Sequence, residues 1–222
     1  MATAAKIPPF SRWNRRKDER PAEILEAAVR VFAQKGFAAT RMDDIAKAAG
    51  VTKGTIYLYF DGKEAVFKML VRQSIGSQLS QVMESVKAHP GPARDLIRFI
   101  LTAIGHFVMT SDRVVLPKIV LAEAGNFPEL ARFYREEIIE KGLGLLTSVI
   151  ARGIEHGEFR LLPPEHVARL CVTPLLFVAI WRTTFAAMDA TPYDYEGYVR
   201  THIDVLLQGL SPPENEKTGD KS

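Results

Sequence analysis

The stretch "VTKGTIYLYFDGKE", from Val51 to Glu64, decides how the chain is interpreted. It crowds threonine, lysine, glycine and tyrosine residues into one short segment. On a helical wheel Ile56 and Phe60 lie one turn apart, where both can pack against an apolar neighbour. The other positions face outward and offer hydroxyl, ammonium and aromatic groups to a partner: Thr52, Lys53, Gly54, Thr55, Leu58 and Tyr59.

The residues before this stretch predict another short helix, joined to it by a tight turn. Thr40 and Asp43 form a capping pair that opens the first helix, and Gly50 ends it with a left-handed turn. Thr52 then caps the next helix, which runs to about Phe60. Two short helices in this order are typical of a helix-turn-helix, whose second helix enters the major groove of DNA.

Gly54 adds a reason to expect a close partner. Glycine in a helix costs roughly 0.5–1 kcal/mol relative to alanine, which indicates that another backbone approaches there. A DNA strand fits, because lysine pairs with guanine or phosphate, and threonine and tyrosine hydroxyls bond to phosphate. Lys63 would reach the DNA backbone as well. The alternative is an amphipathic core helix in which Tyr57 and Tyr59 only pack.

Helical patterns dominate the whole chain, and no alternating strand bounded by turn residues occurs. The sequence therefore predicts an all-α fold. The predicted helices run from Pro21 to Gly36, Asp43 to Ala49, Thr52 to Phe60, Lys63 to Ala88, Ala93 to Thr110, Arg113 to Gly125, Pro128 to His156, Pro164 to Met188 and Tyr193 to Gly209.

Composition limits the function classes. The 222 residues carry a net charge of +3, but residues 1–70 hold 13 Lys and Arg against 8 Asp and Glu, which indicates a polyanionic partner for that part. A single cysteine, Cys171, excludes an internal disulfide and suits a cytoplasmic protein. No leader pattern is visible, and the longest apolar run, Leu170 to Trp181, is shorter than the ~20 residues that span a bilayer. We therefore expect no membrane association.

From Ala22 to about Leu70 the sequence resembles the DNA-binding domain of TetR/AcrR-family transcriptional regulators. The segments that carry the resemblance are "ILEAAVRVFAQKGFAAT" and "MDDIAKAAGVTKGTIYLYFDGKEAVF", and the later "FPELARFY" and "GEFR" are similar to stretches of many members. The resemblance implies an N-terminal three-helix helix-turn-helix domain and a larger helical ligand-binding and dimerisation domain. With it we expect a basic flexible arm at 1–19, the DNA-binding domain at 20–68, the larger domain at 69–210 and a disordered tail at 211–222.

The resemblance also implies roles for single residues. Contacts from the recognition helix fall on Thr52, Lys53, Gly54, Thr55 and Leu58, and phosphate contacts on Tyr57, Tyr59 and Lys63. Tyr57 borders the apolar face and could instead be a core residue. Thr40 and Arg41 are further candidate DNA contacts. Arg41 stands where many relatives carry serine or threonine; it could add a phosphate contact or shift the helix cap to Thr40. The basic segment around Trp13 is either an arm that follows the DNA or a solvated tail.

For the C-terminal half the resemblance implies a small-molecule effector and a homodimer formed through the last two long helices. An apolar, aromatic-rich half indicates a largely hydrophobic effector. Candidate pocket residues are Phe99, His106, Phe107, Met109, Phe133, Tyr134, Phe177, Trp181 and Phe185, each of which could equally be plain core. Candidate dimer residues are Arg182, Tyr198, His202, Val205 and Leu206, and Trp181 and Phe185 could lie at that seam instead.

Catalytic interpretations are weak. The five histidines lack metal-ligand spacing, Cys171 lies within an apolar run, and "KGLGLL" lacks the third glycine of a dinucleotide loop. We expect no cofactor, no metal and no enzymatic activity. The favoured function is a dimeric repressor that binds a palindromic double-stranded DNA operator and is released by an effector. The alternatives are a regulator that activates or needs no ligand, and a helical ligand-binding or catalytic protein.

Overall fold

The computed structural model describes residues 9–213, with side chains from Arg20 onward. These residues form eleven α-helices and, within the same range, no β-strand, which confirms the all-α prediction. The chain divides into two compact units between Val71 and Arg72. The arm residues 1–8, the side chains of 9–19 including Trp13, and the tail residues 214–222 lie outside the described part.

The N-terminal unit consists of α1 (Pro9–Lys35), α2 (Met42–Ala48), α3 (Lys53–Tyr57) and α4 (Lys63–Val71). Its core is a cluster of three phenylalanines, Phe32, Phe37 and Phe67, whose ring centroids lie 5.3–6.2 Å apart. Ile45 and Ile56 are also completely buried in this unit. Aromatic and branched side chains from α1, α2, α3 and α4 therefore hold the short helices in place.

The start of α1 differs from the prediction. Pro21 was expected at the first helical position, but the helix begins at Pro9 and Pro21 lies inside it. Proline inside a helix costs about 3 kcal/mol but does not exclude one, and half of residues 9–20 are arginine, lysine or glutamate, which are good helix formers. Residues 9–19, which were expected to be a flexible arm, are therefore helical in this structure.

The C-terminal unit contains α5 (Ser77–Ala88), α6 (Ala93–Thr110), α7 (Val115–Glu123), α8 (Pro128–Tyr134), α9 (Glu140–Glu155), α10 (Pro164–Thr184) and α11 (Tyr195–Leu210). π-helical turns at Arg72–Gly76 and Arg135–Ile139 precede α5 and α9. In this unit the predicted helix boundaries were accurate to a few residues. In particular, α6 begins and ends where its pattern predicted.

The core of this unit lies between α6, α9, α10 and α11, which pack on one another. Completely buried side chains from three of these helices meet there, including Leu101, Ile150 and Cys171. Burial raises the pKa of the Cys171 thiol to about 12, so it is protonated and inert at neutral pH. This agrees with the prediction that Cys171 is a packing residue.

Among the described helices, α10 with its 21 residues is long and apolar enough to cross a membrane. The segment formed by α6 and residues 112–123 also meets the criterion, but its two parts are bent by 97° relative to each other. Helix α10 is thus longer than the apolar run noted in the sequence. A core helix meets the same criterion, and α10 contributes Cys171 and Leu175 to the core.

Candidate nucleic-acid interface and ligand cavity

The turn between α2 and α3 has the geometry that the sequence predicted. Gly50 adopts a positive φ of 65°, a conformation that favours glycine. The Thr52 hydroxyl accepts a hydrogen bond of 3.1 Å from the Thr55 N–H and so caps α3. The helix ends at Tyr57, earlier than the expected Phe60. Ile56 and Phe60 are nonetheless buried, and they fix which side of α3 faces outward.

The outward side of α3 carries most of the predicted contact residues. Leu58 is 81% exposed and Tyr57 is 45% exposed, so the alternative that Tyr57 is a core residue was wrong. The other members are exposed or half-buried: Thr52, Lys53, Gly54, Thr55 and Tyr59. An exposed leucine and tyrosine beside hydroxyls and a lysine form a surface suited to base edges and phosphates.

Two lysine–aspartate pairs border this surface. Lys53 Nζ lies 3.1 Å from the Asp43 carboxylate, and Lys35 Nζ lies 2.5 Å from Asp44. The hydrogen bond from Lys35 holds the pKa of Asp44 below its ordinary value, assisted by the backbone N–H of Arg41. Lys53 is therefore partly neutralised by an acidic group on the preceding helix.

Thr40 does not occupy the predicted position. Its side chain is buried, and its hydroxyl donates to the Gly36 carbonyl across 2.6 Å. The N-cap of α2 is Arg41 instead, and the exposed Arg41 lies at the surface where a phosphate contact was predicted. The prediction that Thr40 caps α2 and contacts DNA was wrong, because the turn after α1 uses its hydroxyl to satisfy a backbone carbonyl.

Lys63 also has a different setting from the predicted one. Its ammonium donates to the carbonyls of Phe37 and Ala38, at 2.9 and 2.8 Å, and lies 4.8 Å from the centre of the Phe37 ring. Lys63 thereby joins the start of α4 to the segment between α1 and α2. In this structure two of the three N–H groups of the ammonium donate to backbone carbonyls.

A cavity of about 360 Å³ lies in the C-terminal unit, between the end of α10, the following loop and the start of α11. The tilted rings of Phe177 and Trp181, both on α10, pack with centroids 5.7 Å apart, and the Phe185 ring lies 5.1 Å from that of Trp181. Tyr193 faces Tyr195 at 5.2 Å on the other side. Tyr198 and one carboxylate, that of Asp189, also line the cavity, which is partly open to solvent.

Polar groups in the cavity are sparse. The Trp181 Nε1–H donates to Asp189 across 3.0 Å. The Tyr195 hydroxyl is buried and has no hydrogen-bond partner within the described residues. Burial, together with the nearby Asp189 charge, raises the pKa of Tyr195. A buried hydroxyl without a partner is costly, and a ligand in the cavity could supply that partner.

Of the nine predicted pocket residues, Phe177 and Trp181 line this cavity, and Phe185 stacks behind Trp181. Phe133 and Tyr134 are buried at the end of α8, while Phe107 and Met109 pack against core clusters. The remaining two, Phe99 and His106, are exposed on α6. Sequence reasoning missed Asp189, Tyr193 and Tyr195. The only signal for the two tyrosines was the unusual density of tyrosine in "YDYEGY".

The five predicted dimer residues have different surroundings. Arg182 donates to the Val108 carbonyl, and His202 Nε2 lies 2.9 Å from the Cys171 carbonyl oxygen. Tyr198 lines the cavity and Leu206 packs partly on the core. Val205 is 63% exposed. Leu170 and Leu176 of α10 are likewise apolar and accessible, at 61% and 38% exposure.

Two family models match the chain. Residues 24–70 match the bacterial regulatory proteins of the tetR family, and residues 95–209 match the C-terminal domain of AefR-like transcriptional repressors. The second match alone covers half of the chain. The protein is a helix-turn-helix transcriptional regulator, and it belongs to the TetR family.

Individual relatives agree with this assignment. The fatty acid metabolism regulator protein of Bacillus subtilis is 27% identical over 87% of this chain and 98% of its own length. The crystal structure of FadR from Bacillus subtilis in complex with stearoyl-CoA has a TM-score of 0.71 at 24% identity, covering 85% of this chain and 98% of that one. The fatty acid degradation regulator FadR of Bacillus halodurans has a TM-score of 0.67 at 25% identity, with coverages of 91% and 97%.

Proposed function

We propose that the protein represses transcription as a homodimer that binds a palindromic operator, and that a small, largely apolar effector in the α10–α11 cavity releases it. The observation that carries the proposal is the outward surface of α3. It exposes Leu58, Tyr57 and Lys53, while Ile56 anchors the helix from behind. An apolar side chain that can cover a base edge or a thymine methyl lies there beside hydroxyl and ammonium groups that can bond to phosphates and bases.

The proposed dimer rests on the apolar surface of α10 and α11. Leu170, Leu176 and Val205 are large, apolar and accessible in the single chain. Burying them against the same surface of a second copy would form a twofold interface. The twofold axis would then present two α3 helices to half-sites separated by about one turn of DNA, ~34–36 Å.

The proposed effector rests on the cavity and on the relatives. The cavity is within the lower range of volume for small-molecule sites and is lined mainly by aromatic rings. The related FadR of Bacillus subtilis was crystallised with stearoyl-CoA, a molecule with a long apolar chain. An effector releases DNA only if it binds more tightly to the form that cannot bind the operator, by an amount typically ~1–3 kcal/mol. We place the protein in the cytoplasm, where DNA and metabolites are both available, and assign it no catalytic role.

The test is fluorescence anisotropy of labelled DNA from upstream of the protein's own gene, against scrambled DNA, over a series of salt concentrations. We expect specific binding to exceed scrambled binding by at least roughly 10³-fold. The variant Lys53→Gln should alter the preferred sequence, whereas Lys87→Gln removes the same charge from α5 and should not. Equal affinity for both DNAs at every salt concentration would contradict sequence-specific recognition.

A further inference from the structure

The aromatic cavity has features that an apolar effector alone does not need. Four of its walls are the rings of Trp181, Tyr193, Tyr195 and Tyr198, and the carboxylate of Asp189 lies among them. The electron-rich faces of tryptophan and tyrosine attract cations, and a carboxylate adds a full negative charge. Aromatic walls around one anionic group form a setting in which a cation is stabilised and an anion is not.

The hydrogen bonds in the cavity narrow the class of cation. Asp189 uses one oxygen to accept from the Trp181 indole N–H, which fixes the carboxylate in place and leaves acceptor capacity on the group. The Tyr195 hydroxyl is buried and lacks a partner within the described part of the chain. Both groups can accept a hydrogen bond from an ammonium N–H. A quaternary ammonium has no N–H and would leave the Tyr195 hydroxyl without a partner.

A cationic group, Arg182 of α10, lies close enough to the cavity to act on Tyr195. Its guanidinium donates to the Val108 carbonyl on α6, so it is held by a backbone acceptor and is not among the residues that line the cavity. Arg182 lowers the attraction for a cation, but the carboxylate is closer to the ligand because it forms part of the wall.

We infer that the α10–α11 cavity binds a protonated organic amine, with its ammonium group between Asp189 and the Tyr195 hydroxyl and its apolar body against the aromatic rings. The inference rests on the proposed function only in that the same cavity serves as the effector site. It specifies that the largely apolar effector carries a single positive charge on its apolar body.

The experiment uses four probes with one body: phenylbutylamine, phenylbutanol, phenylbutyrate and phenylbutyltrimethylammonium. Binding to the full-length protein without DNA is measured by calorimetry and by the fluorescence of Trp181 in a Trp13→Phe background, because Trp13 is the only other tryptophan. We expect the amine to bind roughly tenfold more tightly than the alcohol and the quaternary ammonium, and the carboxylate to bind most weakly.

Two variants locate the charge. Asp189→Asn keeps an acceptor for the indole N–H but removes the negative charge, and should lower the affinity for the amine to that for the alcohol without changing the latter. Tyr195→Phe should weaken amine binding by a smaller factor. Unchanged alcohol binding shows that each variant retains the cavity.

The inference would be overturned if the amine and the alcohol bound equally, if the carboxylate bound more tightly than the amine, or if none of the four probes bound. It would also be overturned if the Asp189→Asn variant kept its preference for the amine. A shift of Asp189→Asn from dimer to monomer would overturn it too, since that would assign the cavity to a subunit interface. Operator binding is measured separately, without ligand. If the amine does not bind but the operator does, only the amine site is refuted. If the amine binds and the operator affinity does not change, the cavity is not the effector site.

Discussion

The outward surface of α3 and the aromatic cavity both present tyrosines, but they are built in different ways. All the residues of the α3 surface are neighbours in the chain, and the buried Ile56 and Phe60 orient them from within the same segment. The cavity takes its walls from α10, from a loop and from α11, so its residues meet only after the C-terminal unit has folded. A site made from one segment can be recognised from residue order, whereas one assembled from separated segments requires the tertiary structure.

The largest effect should come from the residue that orients α3. Ile56→Ala removes a completely buried side chain, and we expect a loss of about 2–5 kcal/mol of stability in the N-terminal unit together with loss of operator binding. Chemical denaturation followed by circular dichroism and DNA anisotropy measure the two effects. Leu58→Ala, at an exposed position, should change stability by no more than about 0.5 kcal/mol. Similar destabilisation by both changes would contradict the assigned orientation of α3.

In the C-terminal unit, Gly153 lies where the packing leaves no room for a side chain. A Cβ there would lie 2.4 Å from the Phe159 ring and 2.7 Å from the Ala93 Cβ. Gly153→Ala should therefore destabilise the unit by about 1–3 kcal/mol. Gly144 lies on the same helix and has nothing within 4 Å of its added Cβ, so Gly144→Ala should stabilise by roughly 0.5–1 kcal/mol. Thermal unfolding of the two variants would refute this packing if both moved in the same direction.

Lys63 tests whether residue order alone identifies a DNA contact. Lys63→Met keeps the aliphatic stem but leaves the Phe37 and Ala38 carbonyls without their donor, which should cost about 1–3 kcal/mol. If the ammonium stays on these carbonyls, the salt dependence of operator binding is unchanged, and this is the expected result. Retained stability with a salt slope that is shallower by about 0.9 would show instead that Lys63 contacts a phosphate. Lys87→Met is the matched control on α5.

Gly54→Ala should affect the stability of α3 and the affinity for DNA in opposite directions. An added Cβ would meet only the Thr52 hydroxyl oxygen, at 3.9 Å, an ordinary contact. The change should stabilise α3 by about 0.5–1 kcal/mol and yet weaken operator binding if a DNA strand approaches the backbone there. Unfolding midpoints and anisotropy on the same samples give both quantities. Unchanged DNA affinity would contradict the close approach.

The smallest effect on stability should come from Asp43→Asn, which frees Lys53. Both side chains of this ion pair are more than half exposed, so stability should change by no more than about 0.5 kcal/mol. Binding to scrambled DNA should tighten and become more salt-dependent, because one more lysine can neutralise a phosphate. Glu84→Gln breaks the exposed pair with Lys87 on α5 and should leave DNA binding unchanged. An identical response of the two variants would exclude a specific role for Asp43.

The sequence by itself determined the all-α class, the helix-turn-helix and most helix boundaries. Gly50, Thr52 and the Ile56–Phe60 spacing act through hydrogen bonds and periodicity that extend over a few residues, so their consequences could be predicted locally. The same holds for Cys171, whose apolar neighbours in the chain already indicated a buried thiol.

Only the tertiary structure decided that Thr40 is buried, that Lys63 reaches the carbonyls of Phe37 and Ala38, and that Asp189 lies among aromatic rings. Each of these contacts except that of Thr40 joins segments separated by a helix or a loop. Their geometry depends on how whole helices pack, and helical periodicity specifies which face of a helix is apolar but not which neighbour will cover it.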